Sequence, residues 1–231
     1  MADRASKGTC RFCGSSYSGS GITRHLKACA ERQAQQDRPP GEGRGQAKAT
    51  PIYHIQVEGT YRPAYWMHLE VPGCLRLADL DQFLRDVWLE CCGHLSAFRI
   101  GKQSYHSYAE LAADFGEKTM DVRVDEVLKP DLAFEHEYDF GTTTYLTLKV
   151  RGVRQGQARG RPIDVMARND PPEFLCSECG KPATEMCPNC VWDDKGWLCD
   201  DCAPKHKCGF DFLLPIVNSP RMGECGYTGP D

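Results

Sequence analysis

The sequence predicts an α+β fold: a small twisted sheet with one principal packed helix, flanked on both sides by modules rich in cysteine and histidine. Three observations carry that expectation. Residues 51–153 hold short stretches in which apolar and polar side chains alternate with the period of a half-buried strand. Residues 77–88 instead space their apolar side chains three and four apart, as a helix with one face in a core does. Most of the fourteen cysteines fall outside this region, in dense groups.

Ile52, His54, Gln56 and Glu58 alternate with Tyr53, Ile55 and Val57, and YWMHLEV (65–71) follows a proline-containing turn, which predicts a hairpin. Leu77, Leu80, Phe83, Leu84, Val87, Trp88 and Cys91 describe one helix face, which packs on the sheet. LSAFRIG (95–101) predicts a third strand. In AFEHEYDF (133–140), Phe134, His136, Tyr138 and Phe140 share one face and Glu135, Glu137 and Asp139 the other; YLTLKV (145–150) returns after GTTT. About five strands and one helix make a two-layer domain.

Residues 33–50 are polar, rich in Gly and Pro and aperiodic, so they predict a flexible linker. A weaker break begins at Arg154. The expected order is a first cysteine module at 1–32, the linker 33–50, the α+β domain 51–153, a linker 154–173, a second cysteine module at 174–210, and a tail 211–231. That tail packs on a domain, because its FDFLLPIV stretch is too apolar to remain in water.

Composition narrows the function classes. The chain is 41 % hydrophobic, with a mean hydropathy of −0.51. Its apolar run at 213–217 is far short of the roughly 20 residues a spanning helix requires, so no membrane role is expected. The N-terminal MADRASKGTC has no apolar signal core, and the expected location is cytoplasmic. Thiols stay reduced there, which turns fourteen cysteines from disulfides toward metal ligands. Residues 1–50 carry nine basic and four acidic side chains, residues 51–153 ten and sixteen, and the remainder nine and twelve. Only the first piece has the charge for phosphate contacts.

The C-terminal ligands read C-x2-C-x7-C-x2-C-x8-C-x2-C-x3-H-x-C: Cys176, Cys179, Cys187, Cys190, Cys199, Cys202, His206 and Cys208. Each C-x2-C turn aims two thiolates at one point, and structural zinc takes four such ligands. Eight ligands imply two ions. The favoured pairing is interleaved, Cys176, Cys179, Cys199 and Cys202 on one ion and Cys187, Cys190, His206 and Cys208 on the other, because sequential pairing crowds the last four ligands; the sequential order stays open. The interleaved order resembles cross-brace fingers such as the MYND type, although the spacings do not match throughout. A redox C-x-x-C is the ordinary reading of a lone motif, but three in series ending in His-x-Cys argue against it.

At the N-terminus Cys10-x2-Cys13-x11-His25-x3-Cys29 supplies a third set, with a helix from about Gly21 presenting His25 and Cys29 a turn apart. It resembles a C2HC zinc finger with Tyr17, Ile22 and Leu26 as a minimal core. So small a module needs the ion to fold. The two end modules are thus expected to be zinc-finger modules holding three zinc ions. Arg24, Lys27 and Arg32 on the N-terminal helix are the candidate nucleic-acid contacts; a protein contact or a merely solvated face are the competing readings.

Cys74, Cys91, Cys92 and Cys225 are left over. Cys91, Cys92 and His94 lie where the long helix ends, and a thiolate beside a histidine is a candidate nucleophile. The plainer reading makes them buried thiols beside a helix-capping Gly93. His136 reads as a core histidine more readily than as a ligand, and Cys225 is a candidate to replace a ligand such as Cys208.

The stretches YWMHLEVPGCLRLADLDQFLRDVWLECCGHLSAFRIG and FEHEYDFG carry a further resemblance, to the plasmid pRiA4b ORF-3-like family, also described as TnpR-type passengers of an insertion element. It covers about residues 51–153 and rests on Trp66, the helix 77–88, the His94-to-Phe98 strand and the turn from Tyr138 to Gly141. It implies an α+β domain and an association with mobile elements, without a settled activity. Family members continue after that turn with Asp, Trp and His, where this chain has Thr142, Thr144 and Leu146, so any chemistry of those groups is missing here. No resolvase serine core with its arginine cluster is visible.

The leading expectation is a zinc-binding adaptor or regulatory accessory protein, contacting nucleic acid through residues 1–32. The alternatives are a protein-only interaction module, or an enzyme using Cys92, His94, His136 and Asp139 in the middle domain.

Overall fold

The computed structural model describes residues 6–37, 49–157, 162–193 and 195–230. They form two compact units, the first within residues 1–83 and 95–170, the second within residues 84–94 and 171–231. Among the described residues no helix is long and apolar enough to cross a membrane.

The first unit opens with β1 (Lys7–Cys10), β2 (Ser16–Ser18), α1 (Gly19–Ala28) and α2 (Ala30–Asp37). The hairpin β3 (Thr50–Gly59) and β4 (Arg62–Pro72) follows, then α3 (Leu77–Leu84), β5 (Ser96–Ile100), β6 (Gln103–His106), β7 (Lys118–Thr119), β8 (Ala133–Tyr138), β9 (Thr144–Gly156) and β10 (Asp164–Asn169). These strands make one sheet in the order β2-β1-β10-β4-β3-β9-β8-β5-β6-β7. Neighbours are antiparallel except β6 and β7.

The register explains which side chains form the core. Ile55 lies opposite Leu69 and Val150, Val57 opposite Met67 and Leu148, and Leu148 opposite Phe134. Because side chains alternate across a strand, these residues share one face, and all are buried. On α3, Leu77 and Leu80 are buried, and Asp81 reaches His136 on β8 at 2.6 Å. The other face of β3 and β4 carries His54, Trp66 and His68, and the N-terminal helices cover it. Ile22 and Leu26 of α1 are buried in one cluster with Trp66, Met166 and Ala167. Gly8 is required in this contact, since a Cβ there would fall 2.3 Å from the Arg168 carbonyl oxygen and 2.5 Å from Trp66.

The structure departs from the sequence reading in several places. The sheet has ten strands rather than about five, because it recruits β1, β2, β6, β7 and β10 from segments too short or irregular to alternate; β10 carries a bulge between Val165 and Ala167. The N-terminal module is therefore not a separate tethered body, since β1 pairs with β10 along Gly8–Asn169, Thr9–Arg168 and Cys10–Ala167. The expected linker at 33–50 is helical to Asp37 and a strand from Thr50, with residues 38–48 outside the described residues; the expected break at 154–173 contains β10. The long helix gives way after Leu84 to one π-helical turn, Arg85–Leu89. Phe140 lies past the end of β8, beyond Asp139 at φ 66°, and is 44 % exposed instead of continuing the core face.

His54 and His68 form a buried pair, Nε2 to Nδ1, at 2.8 Å. Burial, and secondarily nearby arginine or histidine charge, pushes each imidazole down to about 3. Both remain neutral in the folded chain while the unfolded chain takes up protons below about pH 6.5. Stability should therefore fall as pH drops from 6.5 toward 3, by about 1.4 kcal/mol per pH unit for each histidine. Urea titrations between pH 7 and 4.5 should show a shallower loss in the His54→Leu/His68→Leu double variant than in the wild type.

Candidate metal centres

Four clusters among the described residues bring together ligands that can hold a metal ion, with the four ligand atoms of each within 4.8 Å of one another. In a tetrahedral site with metal–sulfur bonds of about 2.3 Å, neighbouring sulfurs lie about 3.8 Å apart. A disulfide would bring them to about 2.05 Å. The cysteines are free thiols.

The N-terminal cluster consists of Cys10, Cys13, His25 and Cys29. Cys10 ends β1, and the chain folds back so that Gly14 N–H donates to the Cys10 carbonyl at 2.9 Å, with Gly14 at φ 71°. The Ser18 hydroxyl caps α1 by accepting from Gly21 N–H at 3.2 Å. That helix presents His25, whose Nε2 lies 3.3 Å from Cys13 Sγ, and Cys29 is its C-cap. Tyr17 stacks on His25 at 4.1 Å and fixes the imidazole plane. Burial pushes the Cys29 thiol up to about 11, whereas hydrogen bonds from Ser15 lower Cys13. The sequence identified Tyr17, Ile22 and Leu26 as the core here; the sheet adds Trp66, Met166 and Ala167.

In the second unit β11 (Glu185–Met186), β12 (Trp197–Leu198) and β13 (Leu214–Pro215) form a three-stranded sheet in the order β12-β11-β13. Strands of two residues bury little, so the turns around the cysteines dominate this unit. Its first pair of knuckles gathers Cys176, Cys179, Cys199 and Cys202, and its second gathers Cys187, Cys190, His206 and Cys208, which is the interleaved arrangement. Cys179 Sγ lies 3.5 Å from Cys199 Sγ, and Cys190 Sγ 3.7 Å from Cys208 Sγ. Burial raises the Cys176 thiol, but backbone N–H groups of Cys199, Glu178 and Cys179 outweigh it and bring it down to about 6. The thiol of Cys179, followed by burial, pushes Cys202 up to about 12. Such crowding by neighbouring thiols is what a cation relieves. His206 belongs to the second set, and its Nε2 is buried without a hydrogen bond. The donor sets, four cysteines or three cysteines and one histidine, are those of structural zinc.

The fourth cluster joins Cys91, Cys92, His94 and Cys225. The sequence reading missed it as a set, and it corrects two expectations. Cys225 does not replace Cys208, which has its own cluster. Gly93 does not cap the helix, because Glu90 does so through its N–H to the Arg85 carbonyl at 2.9 Å; Gly93 instead turns the chain at φ 78° between Cys92 and His94. Cys91 and Cys225, through their thiols, push Cys92 up to about 11.

The remaining candidates have other partners. His136, fully buried, is bonded to Asp81 and packs 4.7 Å from the Phe98 ring, the core role. Asp139 holds its own turn through Gly141 N–H at 2.9 Å and the Thr142 hydroxyl at 2.7 Å. Arg32, an expected phosphate contact, donates from its guanidinium to the Leu26 carbonyl at 2.7 Å and to Glu70 at 2.8 Å. Arg24 and Lys27 are exposed, as is Cys74.

The family model described as "Plasmid pRiA4b ORF-3-like protein" matches residues 52–182, more than half of the chain. A crystal structure of a protein of unknown function, MM3350 from Methanosarcina mazei Go1, is similar over 52 % of this chain and 69 % of that one, at 13 % identity and a TM-score of 0.44. No curated protein matches the chain.

If metal ions hold the second unit together, chelation should expose its backbone selectively. The amides of Cys187 and Ala203, bonded to the Gly196 and Cys199 carbonyls, should exchange hydrogen more than about a hundredfold faster once the metal is removed. Those of Val57 and Leu148 in the paired β3 and β9 should keep most of their protection. Hydrogen exchange read by mass spectrometry before and after chelation checks both.

Proposed function

The chain belongs to the plasmid pRiA4b ORF-3-like family, and from that premise we propose that it is a zinc-stabilised adaptor that binds a protein partner, with no catalytic role for its metal. Zinc at Cys10, Cys13, His25 and Cys29, at Cys176, Cys179, Cys199 and Cys202, and at Cys187, Cys190, His206 and Cys208 meets four protein ligands each time. A closed set of that kind leaves no position for an activated water, which favours an architectural ion over a hydrolytic one. An accessory role beside a mobile element is what the family label adds; the residues of this chain neither require it nor oppose it.

The single observation that favours a protein partner over nucleic acid is the fate of Arg32. With its guanidinium on Glu70, the N-terminal helix offers Arg24 and Lys27 as its exposed candidate contacts. Nearby cations are matched in part: Asp164 faces Arg11 at 3.0 Å, and Arg154, at 2.8 Å, shares the Glu70 carboxylate with Arg32. The second unit, by contrast, leaves Trp192, Phe210 and Phe212 each more than half exposed. Aromatic side chains of that kind are enriched where protein partners meet.

Salt dependence separates the readings. Two phosphate contacts give a slope of about −1.8 in log K against log salt, so affinity for a random-sequence oligonucleotide should fall only about tenfold between 50 and 200 mM salt. Fluorescence anisotropy with the full chain should give that weak dependence, and Arg24→Ala/Lys27→Ala should abolish it. A loss of a thousandfold or more over the same range, the mark of six or more contacts, would establish a nucleic-acid reader and reject the protein-adaptor proposal.

A further inference from the structure

We propose that Cys91, Cys92, His94 and Cys225 bind a fourth structural zinc ion, which clasps the C-terminal tail to the segment that follows the π-helical turn. The four side chains converge on one point. Cys92 Sγ lies 3.7 Å from Cys91 Sγ and 3.8 Å from Cys225 Sγ, and His94 Nε2 lies 3.0 Å from Cys92 Sγ and 3.3 Å from Cys225 Sγ. Those separations are close to the edges of a tetrahedron with sulfur at about 2.3 Å and nitrogen at about 2.0 Å from a central ion. They are almost twice a disulfide bond.

The backbone is shaped for the same purpose. Gly93 follows Cys92 at φ 78°, as Gly14 follows Cys13 at φ 71° and Gly180 follows Cys179 at φ 73°. In all three a glycine in the left-handed region directly follows a ligand cysteine, which lets the chain turn away from the ligands it has presented. Cys225 itself occupies that region at φ 47°. A side chain there is disfavoured sterically, so the position needs something that holds it, and a metal–sulfur bond supplies that.

The surroundings of the cluster also fit. Arg221 is fully buried and its Nη2 lies 3.4 Å from Cys91 Sγ. On binding, three thiols release their protons and the imidazole contributes a lone pair, leaving a centre of net charge −1 that the guanidinium faces. Ser219 donates to the Trp88 carbonyl at 2.6 Å, a second contact that holds the tail against this segment. Both pieces belong to the second compact unit. The cluster also accounts for the Cys92–His94 pair without a nucleophile: with two further thiols at the same point, a bound ion would occupy both groups and leave no free thiolate.

Native mass spectrometry of the full-length protein, purified reduced and without chelator, reads the proposal directly. The wild type should carry four zinc ions, Cys225→Ser three with unchanged circular dichroism, and His94→Cys four. Three ions in the wild type would overturn the proposal, and so would four in Cys225→Ser. Should Cys225→Ser fail to fold, cobalt titration of the metal-free wild type decides, since the thiolate charge-transfer absorption should saturate at four equivalents; saturation at three would overturn it. None of these readouts depends on the partner, so the adaptor reading and the fourth site can fail separately.

Discussion

A thiolate is a poor neighbour for another thiolate. Wherever three or four cysteines meet at one point, their negative charges repel and their thiols are forced to keep their protons, unless a cation sits among them. That constraint governs this molecule. It explains why Cys202 is pushed up to about 12 beside Cys179 while Cys176, served by three backbone N–H groups, is brought down to about 6. It also explains why so little regular structure surrounds those residues: the second unit's strands are two residues long. An ion held by four ligands would replace the apolar core that so few residues cannot build.

The first unit obeys a different balance. Its sheet has an extensive apolar face, on which Ile55, Leu69 and Val150, side chains that cannot ligate a metal, meet in register. The N-terminal cluster is attached to its opposite face through Trp66, whose indole N–H donates to the Ser6 hydroxyl at 2.7 Å. Placing helices over that face has an electrostatic consequence. His54 and His68 are sealed in neutral form, and Arg32 is drawn into the Glu70 carboxylate that Arg154 also serves. A residue with the chemistry of a phosphate contact thereby becomes part of the packing.

What could be read from the chain follows from the range of each interaction. The strand β8 was legible because alternation is local, and Phe134, His136 and Tyr138 are buried as the pattern requires. The knuckles were legible for the same reason, since Cys176 and Cys179 or Cys10 and Cys13 announce their geometry within four residues. Cys225 was not, because its partners lie at Cys91, Cys92 and His94 and no spacing rule spans so long a stretch. β10 was mistaken for linker because a bulge at Met166 breaks its alternation. His54 alternates with Tyr53 and Ile55 and shares its side of the strand with Gln56 and Glu58, a local pattern that says nothing about the helices that cover it. Glu70, the residue that captures Arg32, carried no signal at all, since its role depends on a fold that brings α2 beside β4.

The central claim is that these thiols form closed four-ligand centres and make architecture. X-ray absorption at the zinc edge of the purified protein tests it most directly. The account predicts a four-coordinate first shell dominated by sulfur at about 2.3 Å, a minor nitrogen contribution near 2.0 Å and no oxygen. An oxygen ligand, five-coordination, or protein free of zinc with its cysteines oxidised to disulfides would contradict it.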